Sequence, residues 1–179
     1  MLSAVLQRNI DSNRSQLPEG AGSIHTRELD WTVDPALWTW SHPTIIASHD
    51  YYTNAHPSTD TLGPPFDLIL TADTLYTPHL VGPLLRVLHA LSAIDSPPIY
   101  LALERRDPRL ADDALQEARD LWSFSVQRVP HKKVTRAMLK AGCKWNAVDW
   151  EGVEIWKLVR QTPACDGAFI SQVTAKTVP

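Results

Sequence analysis

Phe66-Asp67-Leu68-Ile69-Leu70-Thr71-Ala72-Asp73-Thr74-Leu75-Tyr76 decides how this chain is read. Residues 66–72 form a compact apolar run without strict alternation, the pattern of a strand buried on both faces of a parallel sheet. Asp73 follows where that strand ends. In open α/β sheets, ligands bind just beyond the carboxyl ends of the strands. A second place of this kind is Leu29-Asp30-Trp31, at the end of a short strand over Ile24–Trp31.

Towards the C-terminus, Thr77-Pro78 opens a helix whose apolar face carries Leu80, Leu84, Leu85, Leu88 and Leu91. Ser96-Pro97-Pro98 breaks the chain before a second buried strand, Ile99–Leu103. Asp107-Pro108 caps the next helix, with a stripe of Leu110, Ala114, Leu115, Ala118, Leu121 and Trp122. Ser125–Val129 reads as a short strand, Val134–Leu139 as a weak helical or irregular segment, and Val153–Val159 as a cleanly alternating strand.

Towards the N-terminus lies a polar, proline-rich stretch over residues 41–65, read as a long surface loop. His42, His49 and His56 recur in it every seven residues. That spacing invites a metal reading, but no pattern of supporting partners accompanies it, so no metal is expected. Pro18–Ser23 is a turn. Leu2, Val5, Leu6 and Ile10 fall on one helical face. Alternating strands and helices give the α/β class. One domain is expected over residues 1–160, with a disordered tail at 161–179.

Composition narrows the function classes. A net charge of −3 exerts no long-range attraction on nucleic acid or anionic membrane. No stretch approaches the roughly 20 apolar residues of a membrane span, and no signal peptide is readable. Cys143 and Cys165 make neither a disulfide framework nor a four-ligand metal site, so a reducing cytoplasmic or nuclear setting is the default.

Several strings are now recognisable together. Asn9–Asn13, Arg27–Trp31, Phe66–Tyr76, Glu104-Arg105-Arg106 and Val153–Lys157 resemble, in order and separation, methyltransferase family 16. That group has a seven-strand Rossmann-like fold and includes protein-lysine methyltransferases that use S-adenosylmethionine. The resemblance implies an N-methyltransferase acting on a protein lysine, with S-adenosylmethionine as cofactor, no nucleic-acid or membrane partner, and a monomer when complete. It implies that Trp31, Ala72 and Asp30 lie on the cofactor side and that Asp73 and Tyr76 act catalytically on the acceptor side. The chain departs from the family in one respect. Its Gly-x-Gly-x-Gly loop and the acidic end of its second strand are absent, and Gly20-Ala21-Gly22 follows a polar turn instead of a strand. The sheet is thus expected to lack its first two strands. In the family order 3-2-1-4-5-7-6, Ile24–Leu29 is the third strand and Phe66–Ala72 the fourth. The third then has no neighbour, unless it pairs directly with the fourth, and the fourth becomes an exposed apolar edge.

The chemistry sets what each residue would do. Methyl transfer to an amine needs a neutral nitrogen held about 3 Å from the methyl carbon. A carboxylate orients the amine, and an aromatic wall desolvates it and favours a cationic centre. Asp73 and Tyr76 supply both within one turn; the competing reading of Asp73 is an N-cap of the following helix. The resemblance implies that Trp31 lies against the adenine; the competing reading is a core tryptophan. Asp30 bonds the adenine edge or closes a turn. Glu104, Arg105 and Arg106 contact a substrate peptide or form a solvated charged loop. Trp38, Trp40, Trp145, Trp150 and Trp156 are packing or lid residues. Two alternatives stand beside the enzyme: a non-catalytic fragment serving as an interaction module, and a small-molecule methyltransferase.

Overall fold

The computed structural model describes residues 2–20, 22–49, 62–143 and 146–161. The expected tail from residue 162 onward, His56 and Trp145 lie outside the described residues. The order of elements is α1 (Leu2–Asn13), β1 (Glu28–Leu29), β2 (Ile45–Ala47), β3 (Ile69–Ala72), α2 (Val81–Leu91), β4 (Ile99–Glu104), α3 (Pro108–Asp120), β5 (Phe124–Arg128), α4 (His131–Lys140) and β6 (Val153–Arg160). The fold is mixed α/β.

The main sheet runs β3-β4-β6-β5. β3 and β4 are parallel and register Ile69 with Ile99 and Ala72 with Ala102. β6 runs antiparallel to both its neighbours, β4 and β5. Alternation sends Ile69, Ile99, Leu101, Leu103, Phe124 and Leu158 to one face, where they meet the apolar stripes of α2 and α3 in a single core. Ile99 and Leu158 are wholly buried there. Each such side chain contributes about 1.5–3 kcal/mol relative to exposure. α3 begins where the sequence places it, with Asp107 Oδ1 accepting from the amides of Arg109 (3.0 Å) and Leu110 (3.1 Å). Pro83 sits in the first turn of α2, where its missing N–H costs nothing.

Five expectations are corrected. Ile24–Trp31 was read as a strand, but only Glu28–Leu29 is one. Within the 41–65 loop, Ile45–Ala47 forms a strand, because its apolar residues pair in parallel with β1. The 24–29 segment therefore neither lacks a partner nor pairs with β3. It forms a separate two-stranded sheet. Val134–Leu139 belongs to a regular ten-residue helix. Leu121 caps α3 and is exposed instead of joining its buried stripe.

The second face of the main sheet is largely open among the described residues. Leu70 shares it with Tyr100 through strand register, yet Leu70 is 71% exposed. Leu68 is about half exposed. β3 is an edge strand, as the sequence led us to expect.

Tryptophans join the small sheet to the large one. Trp38 and Trp40 meet edge-on at 6.0 Å, and Trp40 meets Phe66 at 5.8 Å just ahead of β3. Arg27 lies over the Trp40 ring and donates to its carbonyl (3.0 Å). The fit is close at Gly63, where an added Cβ would touch the Trp40 side chain at 3.4 Å.

Candidate functional site

Parallel pairing brings the carboxyl ends of β3 and β4 side by side, and three charged side chains meet there. The amide of Asp73 donates to the Ala102 carbonyl (3.0 Å), which extends the ladder by one residue. The chain then turns sharply, with Asp73 at φ +53°. Aspartate tolerates this left-handed conformation better than most residues, and such conformations concentrate at functional sites. Its exposed carboxylate faces Arg106 Nη2 at 3.8 Å, and Arg106 also pairs with Glu104 (2.7 Å). The hydrogen bond that Arg106 donates to Glu104, followed by the charge of Asp73, holds the Arg106 guanidinium above its usual pKa.

Asp73 caps no helix. Thr77 precedes the 3-10 turn Pro78–Leu80, and Leu80 occupies the N-cap of α2. The turn is instead closed by its neighbours, with the Thr71 and Thr74 hydroxyls 2.9 Å apart. Asp73 is free to project, and Tyr76, three residues on, is 65% exposed. Ala72 is exposed on the open face of the sheet.

An ion cluster around the buried Glu154 fixes the strand-end loop that carries Arg106. Arg105 Nε and Nη2 donate to Glu154 (3.2 and 3.3 Å), and its Nη1 donates to Asp112 (2.8 Å). Arg128 and the Trp156 indole also reach Glu154, at 3.0 and 2.9 Å. Burial pushes the Glu154 carboxyl up. Hydrogen bonds from Arg105 and Trp156, with the charges of Arg105 and Arg128, outweigh that and hold it below the usual range. Arg105 is thereby a structural anchor, while Arg106 faces the site. The sequence treated the two as one charged loop. What separated them was the position of Glu154, which follows from β6 pairing antiparallel to β4.

On the other flank, Asp30 Oδ1 accepts from the Thr32 amide (2.8 Å) and hydroxyl (2.6 Å). Of its two open roles, turn closure is the one seen. These bonds lower the Asp30 pKa. Trp31 is partly buried against the main core. Its carbonyl and that of Thr32 accept from Arg86 Nη2 of α2, each at 3.0 Å. Arg86 Nε is buried without a hydrogen-bond partner.

These residues only partly fit a nucleoside-bearing cofactor. Trp31 and the orphaned Arg86 Nε offer a ring and a donor. Against this, a Cβ added at Gly20 or Gly22 would meet nothing within 4 Å, so no close backbone approach to other parts of the protein calls for glycine there. Asp30 Oδ1 is already engaged, and Ala72 faces open space. The described residues make a wall, not a cradle. The two described histidines of the 41–65 stretch have structural partners: His42 Nδ1 accepts from the Ile45 amide (2.9 Å), and His49 Nε2 lies 2.9 Å from the Thr32 hydroxyl. Among the described residues, no helix is long and apolar enough to cross a membrane.

No protein-family model matches the chain, and no curated protein matches it. The functional reading therefore rests on the residues and their geometry.

Proposed function

We propose that this chain is the acceptor-side part of an S-adenosylmethionine-dependent methyltransferase domain whose acceptor is a protein lysine. One observation carries the reading. The sheet order β3-β4-β6-β5 corresponds to the order 4-5-7-6 of the seven-strand fold, and Asp73 stands in a left-handed turn at the end of β3, which supports the reading. The swapped last pair is informative, because a simple succession of strands would not produce it.

In this reading Asp73 accepts hydrogen bonds from the lysine nitrogen and orients its lone pair. Tyr76 supplies an aromatic face beside it. Arg106 Nη2 faces the carboxylate at 3.8 Å. S-adenosylmethionine, when bound, supplies the electrophilic methyl group. The weak cradle favours a second reading for the chain alone, a non-catalytic module of the same fold.

Two measurements separate these readings. Calorimetry with the chain as it stands is expected to show S-adenosylmethionine binding no tighter than about 100 μM, since two missing charge-assisted hydrogen bonds cost roughly two to four decades. A protein extended N-terminally by a strand and Gly-x-Gly-x-Gly loop should transfer labelled methyl to lysine-bearing protein. There, Asp73→Asn keeps the left-handed turn but removes the charge. It should cut transfer about 100-fold or more while leaving cofactor affinity within about threefold. Trp31→Ala should weaken cofactor binding first. Transfer undiminished in Asp73→Asn, or equal loss of cofactor affinity in both variants, would overturn the assignment.

A further inference from the structure

A hydroxyl that caps no backbone group stands in the segment between Asp73 and α2. Thr77 opens the 3-10 turn Pro78–Leu80, yet its side chain makes no capping bond to that turn. Its Oγ1 lies 2.9 Å from His79 Nδ1. The Thr77 backbone is extended, at φ −153° and ψ 135°, the conformation that a following proline favours. Tyr76, Pro78 and His79 around it are exposed, and Thr77 itself is partly exposed.

A proline-directed protein kinase asks for these features. It draws an extended segment through its cleft and seats the ring of the proline that follows the hydroxyl residue. Three Ser/Thr-Pro dipeptides occur in the chain: Thr77-Pro78, Ser96-Pro97 and Thr162-Pro163, the last outside the described residues. Geometry separates the other two. Ser96 is bent at φ +45° behind Asp95 at φ +60°, and Pro97 is buried, so presenting Ser96 means pulling its proline out of the protein. Presenting Thr77 means opening one short turn, held by the Leu80 amide on the Thr77 carbonyl (3.2 Å) and the Val81 amide on the Pro78 carbonyl. Hydrogen bonds of 3-10 turns have poor geometry and give way readily. The basic string Lys132-Lys133-Val134-Thr135 leads to another hydroxyl, but Thr135 lies inside α4 and donates to the His131 carbonyl (3.1 Å), so it is not extended.

We propose that Thr77 is a phosphorylation site for a proline-directed protein kinase. In the step, Thr77 Oγ1 attacks the γ-phosphorus of a nucleoside triphosphate. The new P–O bond forms to Oγ1, the bond to the β–γ bridging oxygen breaks, and nucleoside diphosphate leaves with that electron pair. The hydroxyl proton passes to a base of the kinase. The product carries about 1.5 to 2 negative charges at this position, next to Tyr76 in the loop that begins at Asp73 and beside the His79 ring. That charge bears on methyl transfer only through the acceptor-side reading above. The modification itself does not depend on that reading, so the two fail separately.

The test incubates the full chain, carrying Thr162→Ala, with magnesium ATP and a mitogen-activated protein kinase, and maps the phosphate by mass spectrometry. Synthetic peptides spanning residues 72–82 and 91–101 present the same two dipeptides without tertiary structure. Each site's rate in the folded chain is divided by the rate of its own peptide, which removes the kinase's preference for sequence. The quotient for Thr77 should exceed that for Ser96 about tenfold or more, because modification tracks the population of the locally opened form. Thr77→Ala should remove most of the phosphate taken up by the folded chain. Equal quotients, uptake undiminished in Thr77→Ala, or a 72–82 peptide that the kinase leaves unmodified would each overturn the proposal.

Discussion

Glu154 is where a single substitution should reach furthest, because one buried carboxylate ties β6 to the loop after β4. Glu154→Gln keeps the shape and one acceptor oxygen. It loses the charge and turns an amide N–H₂ towards a guanidinium. The bidentate pair with Arg105, itself about a quarter exposed, is the part that matters. Hydrogen bonds to charged groups contribute about 1.5–3 kcal/mol each when well shielded, whereas the contact to exposed Arg128 adds about 0–1 kcal/mol. Since Arg105 keeps Asp112 and some water, we expect a net loss of about 2–3 kcal/mol, or roughly 5–10 °C in Tm for a domain of this size. Urea titrations across pH are the assay. The folded Glu154 pKa is depressed, so its contribution is full above the ordinary glutamate value and is lost as pH falls through the folded value. The gap between wild type and Glu154→Gln should thus be largest at pH 6–7 and narrow steadily below about pH 4.5. A gap under 0.5 kcal/mol at pH 7, or one that stays constant down to pH 3, would refute the reasoning.

Three further outcomes follow from the same structure. His89 packs against Trp122 and Phe124 (5.5 and 5.9 Å between ring centroids), and burial, with the charge of Arg160, lowers its pKa. The unfolded chain therefore takes up that proton first, and stability falls as pH drops below about 6.5; His89→Phe should lose less Tm than wild type between pH 7.5 and 5.5, and equal losses would exclude the effect. Leu70→Lys on the open face of edge strand β3 should reduce self-association in light scattering while changing stability by no more than about 0.5 kcal/mol, and unfolding would show that Leu70 is not exposed in solution. Amides of α1, whose Val5 and Leu6 are about half exposed, should exchange far faster than those of Ile99–Leu103, and equally slow exchange in both would mean that α1 is packed more firmly than its exposure implies.

The legible parts of the fold were those where local chemistry and burial agree. The α3 cap announces itself through Asp107-Pro108, and the α2 stripe through leucines at helical spacing. β4 and β6 were readable because they are long and patterned. β1 and β2 were not, because two- and three-residue strands carry no period and exist only through each other. α4 was understated for a related reason. Half its residues are basic, its apolar stripe has two members, and its seat on β6 is a long-range contact. At the site, residue type and strand-end position singled out Asp73 and Tyr76. The division of labour between Arg105 and Arg106 needed Glu154, which lies 49 residues from Arg105 in the chain.

By itself the sequence determined the α/β class, the four strands of the main sheet, the helices that cover its core face, and an acid–tyrosine pair beyond β3. These follow from side-chain periodicity and end chemistry, which act over a few residues. The tertiary structure alone decided that the 24–29 segment pairs with 45–47, that Asp30 closes a turn, and that the apolar β3 strand leaves Leu70 exposed on its second face. A run such as Phe66–Ala72 records that each residue prefers burial. Which face is covered depends on what other segments arrive there, and strand partners distant in sequence leave no mark in the local pattern.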